Sequence, residues 1–284
     1  MIDNKKWDLI ITPRNRWFDF NIKEIINYKD LIFLFVKRDI TTFYKQTILG
    51  PLWFFIQPFI STILFTFIFN KIANISTEGV PPYLFYMSGI IAWNYFSDCI
   101  LTTSKTLTTN ANIFGKVYFP RIIVPISNII SGLSKFILQF IFYIFIFLYF
   151  IYLGNSSVRL SYSAIVIIPL LIFQMALLGL GLGLIISSLS TKYRDLNYLI
   201  NFGTQLLMYC SPIIYPLSIV PKEIKYIILL NPITPIIELF RQVLTGQGTF
   251  NYTLTIYSIF MSIFTFLIGI IIFNKIEKSF IDTA

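Results

Sequence analysis

The chain has 284 residues, of which 56% are hydrophobic and 18% aromatic but only 12% charged, against roughly 25% charged in an ordinary soluble domain. That balance excludes a soluble globular protein and predicts an all-α membrane protein, its apolar residues gathered into long stretches separated by short polar segments. The net charge of +9 follows from membrane orientation, as its placement shows below, so no nucleic-acid partner is expected.

In chain order, residues 1–51 form a cytoplasmic N-terminal segment and residues 52–284 a transmembrane domain. Residues 1–20 are mixed and charged and lack a 7–15-residue apolar core, so no cleavable signal peptide is expected. From Asn21 to Thr47 the apolar positions Ile22, Ile25, Ile26, Phe33, Val36, Ile40, Phe43 and Tyr44 recur at helical spacing. Lys37, Arg38, Asp39, Thr41, Thr42, Lys45 and Gln46 take the other side, and Asn21 with Glu24 resembles a capping box. This predicts an amphipathic helix lying flat at the cytoplasmic membrane surface. It serves either as a simple anchor or as a lever touching a soluble partner.

Six apolar stretches follow, at about 52–69, 83–101, 129–151, 164–189, 196–217 and 254–273. Each is close to the ~20 residues a helix needs to cross ~30 Å of hydrocarbon, so six transmembrane helices are predicted. With the N terminus inside, sixteen of the 22 Lys and Arg fall on the cytoplasmic side. Five fall outside (Lys71, Arg159, Lys222, Lys225 and Arg241), and Lys135 lies near the start of the third stretch. The positive-inside rule therefore places both termini in the cytoplasm.

Two connecting segments exceed the length of a tight turn. Residues 102–121 are polar and read as a short helix, a break over 110–115, and a return to the membrane at Phe119-Pro120-Arg121. Residues 218–246 hold Pro221, Asn231-Pro232 and Pro235 between two apolar pieces too short to cross. Glu238 and Arg241 stand i,i+3 on the second piece. Two short helices that dip into the outer leaflet and return, a re-entrant outer hairpin, fit this pattern and suggest a pathway mouth. A superficial loop is the other reading.

Catalytic chemistry is missing. The chain has no His, and Asp98 is the one carboxylate inside the stretches, so no acid and base pair is set up there. No Cys/His metal spacing and no G-x-x-x-x-G-K-[ST] phosphate loop occurs. Gly179, Gly181 and Gly183 alternate inside a stretch and read as close helix packing. Cys99 and Cys210 read as small packing residues, with no disulfide expected. Gln57, Gln139, Gln174 and Gln205 are polar but do not titrate, which argues against an ion-coupled carrier.

Against this background, Tyr44-Lys45-Gln46-Thr47-Ile48-Leu49-Gly50-Pro51-Leu52-Trp53, with Gln57-Pro58 after it, resembles the approach to the first span of polysaccharide-exporting ABC transporter permeases, the O-antigen, teichoic acid and capsule exporters. Four further motifs resemble the same family in the same order. They are Asn110 through Phe119-Pro120-Arg121, Lys192-Tyr193-Arg194-Asp195, Ser211-Pro212-Ile213-Ile214-Tyr215-Pro216, and Asn231-Pro232 through Glu238 and Arg241. The resemblance runs from about residue 30 to the end.

It implies a homodimeric permease in a bacterial inner membrane, served by two copies of a separate ATP-binding cassette subunit. That partner would bind ATP and Mg, this chain holding no cofactor. A lipid-linked glycan would pass through a channel at the dimer interface. The first and fifth spans would line it, which nominates Trp53, Phe54, Phe65, Phe69, Tyr209 and Tyr215, although aromatics at these places also suit lipid contact and interface belts. Arg38, Lys45, Thr102, Lys105 and Asn110 would meet the ATPase subunit. Asn231, Glu238 and Arg241 would form the outer gate. A drug or small-lipid exporter, a passive pore and a membrane-embedded transferase are the competing readings, the last lacking its catalytic carboxylate or His.

Overall fold

A computed structural model of the chain describes residues 22–45, 50–154, 159–193, 195–248 and 251–280, and among these the regular structure is helical throughout. Asn21 and residues 46–49 lie outside the described residues, so the expected capping box and part of the first motif do too.

The amphipathic segment is two helices, not one: α1 (Ile22–Asn27) and α2 (Lys29–Lys45). They break at Tyr28, whose carbonyl accepts from the Leu31 and Ile32 amides. Leu31, Ile32 and Phe35 turn inward while Lys37, Arg38 and Lys45 stay in the open.

The next helix, α3 (Trp53–Ile72), is interrupted twice. Pro58 removes one backbone donor, and the Thr62 hydroxyl donates to the Pro58 carbonyl at 2.7 Å. From Thr66 to Ile72 the coil widens into π-helical turns. α4 (Pro82–Ser104) begins with Pro at its first turn and buries 16 of its 23 residues, touching α3 and four helices that follow it in the chain. Two single turns, α5 (Thr106–Thr109) and α6 (Ala111–Phe114), lead to α7 (Ile123–Tyr152). The expected break over 110–115 is therefore narrower: Asn110 alone is the joint, its carbonyl accepting from Ile113 and Phe114 so that residues 111–114 coil again.

α8 (Ala164–Ser190) lies between α4 and α12 (Tyr252–Phe280). Its alternating glycines explain how closely. A Cβ on Gly179 would stand 2.6 Å from Cys99 Cβ and one on Gly183 2.5 Å from Thr103 Cβ, both on α4. A Cβ on Gly181 would meet the backbone of Phe266 at 2.6 Å, and one on Gly269 the Gly181 carbonyl at 2.6 Å. One glycine face meets α4 and the other meets α12. In lipid, where apolar burial gives no drive between helices, such backbone-to-backbone approach is what holds them.

α9 (Leu196–Tyr209) is 14 residues long, about 21 Å at the α-helical rise. It gives way at Cys210 to turns through Ser211 and Pro212, because a proline removes a donor and biases the residue before it out of the helical region. Cys210 itself is exposed, so the packing role expected of it does not hold; Cys99 is buried. The chain then forms α10 (Lys222–Leu230) and α11 (Ile233–Thr245), whose axes differ by 96° across Asn231-Pro232.

Among the described residues, four helices are long and apolar enough to cross a bilayer, α3, α7, α8 and α12, and the α10–α11 pair makes a fifth if counted as one. α4 has the length, but its lower half carries Asn94, Ser97, Asp98, Thr102, Thr103 and Ser104.

The bundle has two distinct ends. At one, α2, the turns α5 and α6, the start of α7 and the close of α12 share a cluster that includes Phe35, Leu107, Phe114, Phe119, Ile270 and Phe273. At the other, the loop before α8 pairs with the end of α11, the Arg159 and Ser161 amides donating to the Thr245 and Val243 carbonyls. Gly246 closes α11 with φ +77°, and a Cβ there would stand 3.1 Å from the Arg159 carbonyl.

Candidate functional site

The α10–α11 corner is held from three sides. Asn231 donates to the Ser211 hydroxyl at 3.0 Å and accepts from the Ile233 amide. The Ser258 hydroxyl of α12 donates to the Pro232 carbonyl and accepts from Gln174 of α8 at 2.8 Å. Tyr257 donates to the Leu230 carbonyl. Between α10–α11 and the α12 helix start, a cavity of about 190 Å³ is lined by Lys225, Thr234, Glu238, Asn251 and Thr255 among others.

The i,i+3 pair forms. Arg241 Nη1 lies 3.0 Å from Glu238 Oε1, with the two residues 1% and 4% exposed. The other guanidinium nitrogen donates to the Pro212 carbonyl at 2.7 Å, and the group lies 3.8 Å from the centre of the Phe85 ring. Gly89 makes room, since a Cβ there would sit 3.2 Å from Arg241 Nη2. Arg241 thereby ties α11 to α4 and to the irregular chain after α9. A buried charge persists only when paired and hydrogen-bonded in this way.

At the opposite end, Arg38 pairs with its neighbour Asp39 at 2.8 Å and lies over the Phe35 ring. Lys45 and Lys105 are exposed. Thr102 and Asn110 are half-buried and turned inward, donating to the Asp98 carbonyl at 2.6 Å and the Thr106 carbonyl at 3.0 Å. The residues that protrude are Lys116, Val117 and Tyr118, with Val117 and Tyr118 58% and 66% exposed. The sequence reading did not nominate them; two large side chains beside a break and before the Phe119-Pro120 return were the available signal. Arg121 anchors this loop, donating to the Glu277 carbonyl of α12 at 2.7 Å and lying over Phe114. Burial lowers its pKa and Glu277 raises it, but an arginine stays charged throughout.

The nominated aromatics divide. Trp53 and Tyr209 are exposed, Phe54 half-buried beside Lys135, and Tyr215 half-buried with its hydroxyl donating to the Tyr209 carbonyl at 3.2 Å. Phe65 and Phe69 stack edge-on against each other, and Phe65 meets Tyr86 of α4, so both lean into the bundle. Besides Trp53 and Tyr209, the open faces of the two helices carry Phe59, Ile63 and Phe67 on α3, and Tyr198, Phe202 and Leu206 on α9. Lys135 and Asp98, the charges that hydropathy left without a role, pair across α7 and α4 at 2.9 Å.

A bundle of long apolar helices with a bent helix pair at one end and a folded polar loop at the other is that of a multi-pass membrane protein, and the sequence match gives its class. Residues 30–245 match the ABC-2 type transporter family, to which the chain belongs. It is 28% identical over 255 residues to an O-antigen export system permease protein of Klebsiella pneumoniae, covering 89% of this chain and 94% of that one. A polysialic acid transport protein of Escherichia coli is 23% identical, with 87% and 93% covered. A capsule polysaccharide export inner-membrane protein of Neisseria meningitidis is 20% identical, with 90% and 95% covered.

Proposed function

We propose that this chain is the membrane-spanning permease subunit of an ATP-driven exporter that carries a lipid-linked polysaccharide, O-antigen or a similar glycan, across a bacterial inner membrane. The observation that carries the reading is the match, over 87–90% of this chain, to proteins named for O-antigen export, polysialic acid transport and capsule polysaccharide export. The subunit is a channel-former and not a catalyst. ATP and Mg belong to a separate ATP-binding subunit, two copies of which serve a homodimer of this chain.

In this reading the chain crosses six times. α4 and α9 supply the second and fifth crossings, α9 completed by the turns after Cys210. Both termini lie in the cytoplasm, so the α2 end faces the ATP-binding subunit and α10–α11 is a re-entrant pair at the outer face. Support for the parity comes from α2 and the close of α12 meeting at one end of the bundle. The apolar open faces of α3 and α9 are the surfaces through which two copies enclose the path. α2 lies at the membrane surface, with Arg38, Lys45 and Lys105 offered to the partner. Asn231, Glu238 and Arg241 frame the outer gate.

Deletion of the gene in a strain that makes a surface polysaccharide tests the reading. The surface polymer is expected to vanish while lipid-linked glycan accumulates inside, and the plasmid-borne chain restores export. Unchanged surface polymer in the deletion strain would reject it.

A further inference from the structure

α4 is buried almost all round, and the exception is chemically distinct. From its middle to its α2 end the residues that stay partly open on this side are Asn94, Ser97, Asp98 and Leu101, followed by the exposed Lys105. Spaced three and four apart, they form one stripe. Around α4, Tyr95 meets Phe136 and Gly132 of α7, while Cys99, Ile100 and Thr103 meet the glycines of α8. α3 crosses the outer half of α4 at Tyr86 but leans to α7, where Phe55 and Phe59 meet Phe142. α9 touches α4 and α8. The stripe therefore lies on the side of α4 turned away from α8, with Asp98 at its α7 edge, where Lys135 and Phe54 of α3 meet.

Polarity there is neither incidental nor internally absorbed. Most serines on these helices return their hydroxyl to a carbonyl three or four residues back, as Ser88, Ser104, Ser127 and Ser131 do. Among the described residues, the side chains of Asn94 and Ser97 have no hydrogen-bond partner. Asp98 meets Lys135 at 2.9 Å, yet its side chain is 37% exposed. A charged pair and two unspent polar groups facing hydrocarbon would be costly; ionisable groups inside a membrane face a water-filled space.

We infer that the stripe Asn94–Ser97–Asp98, with Lys135, is the polar wall of the cytoplasmic half of the substrate path and takes the hydroxyl groups of the passing glycan. This rests on the exporter reading and adds the residues that meet the sugar. A partly exposed carboxylate and an amide supply acceptors and donors to successive hydroxyls, while the apolar faces of α3 and α9 flank them. The stripe begins about 15 Å from the α2 end of α4 by the α-helical rise. It thus reaches mid-membrane.

The test uses the whole exporter in inverted membrane vesicles, with Cys210→Ser removing the exposed thiol and Cys99 left buried. Ser97→Cys, nearly isosteric, and Asn94→Cys are treated with a charged, membrane-impermeant methanethiosulfonate; Ile263→Cys, on the apolar open face of α12, is the control. Both stripe positions are expected to react and the control not. Reaction is expected to slow several-fold in vesicles from cells loaded with lipid-linked glycan, compared with cells unable to make it. No reaction at either position overturns an aqueous wall. Equal reaction with and without glycan overturns its assignment to the sugar. Failure of the exporter reading shows separately, as surface polymer that survives deletion of the chain.

Discussion

Arg241 and Pro212, 29 residues apart, meet through a 2.7 Å hydrogen bond from guanidinium to carbonyl, and Glu238 neutralises the same guanidinium at 3.0 Å. One side chain thus couples α11 to the point where the chain leaves α9. Arg241→Met removes the guanidinium that faces the buried Glu238 carboxylate and is expected to cost about 3–5 kcal/mol. The measurement is thermal unfolding in detergent. Arg241→Met with Glu238→Leu is expected to recover most of the loss, because the uncompensated charge goes with it. A double variant no better than the single would mean that the Pro212 bond, not the charge, dominates.

Backbone contact between helices leads to a second expectation. Gly183→Leu and Gly181→Val must push α8 away from α4 and α12, where a Cβ would already stand 2.5–2.6 Å from its neighbours. Overpacking of at least 1–3 kcal/mol is expected. Gly203→Ala, on a helix with nothing within 4 Å of the new methyl, is expected to be neutral or to stabilise by up to about 1 kcal/mol. Parallel melting curves of the three variants check the contrast.

If the α2 end receives the ATP-binding subunit, its protruding side chains carry the contact. Tyr118→Ala is expected to weaken co-assembly by about tenfold or more, the scale of a truncated aromatic anchor. Thr102→Val, whose hydroxyl bonds its own helix, is expected to leave affinity nearly unchanged. Titration of the purified partner against nanodisc-embedded permease measures both.

Arg121 holds the loop of α5 and α6 to the close of α12. Its replacement by Ala removes a charge-assisted hydrogen bond worth about 1.5–3 kcal/mol. Hydrogen exchange over residues 270–277 is expected to accelerate. Arg121→Lys recovers only part, since a lysine lacks the planar fork that serves the Glu277 carbonyl and the Phe114 face together.

Hydropathy and spacing made the long apolar helices legible, along with the Glu238–Arg241 pair, because those features are local. α7 and α8 read directly as unbroken apolar runs. The i,i+3 spacing brought the pair together on one turn of α11. The glycine alternation also spoke for itself, since only close approach makes use of three missing side chains. Long-range partnerships were not legible. Nothing in the sequence joins Lys135 to Asp98, Arg241 to Pro212 or Arg121 to Glu277, which depend on which helices become neighbours. Phe65 and Phe69 show the limit on one helix: apolar residues all round α3 do not reveal which face meets α4. α4 shows it in reverse, because three of the polar residues that weaken its membrane signal, Asn94, Ser97 and Asp98, lie on one partly open side, while Thr103 and Ser104 are buried.

If the chain works as the permease subunit of an ATP-driven exporter, paired with itself and with two ATP-binding subunits, its company in the membrane is the most direct test. The tagged chain, extracted gently from native membranes, is expected to bring down an ATP-binding cassette subunit in a one-to-one ratio by mass spectrometry. Recovery of the chain alone, reproducibly and under conditions that keep its own dimer intact, would contradict the account and make a passive pore the better reading.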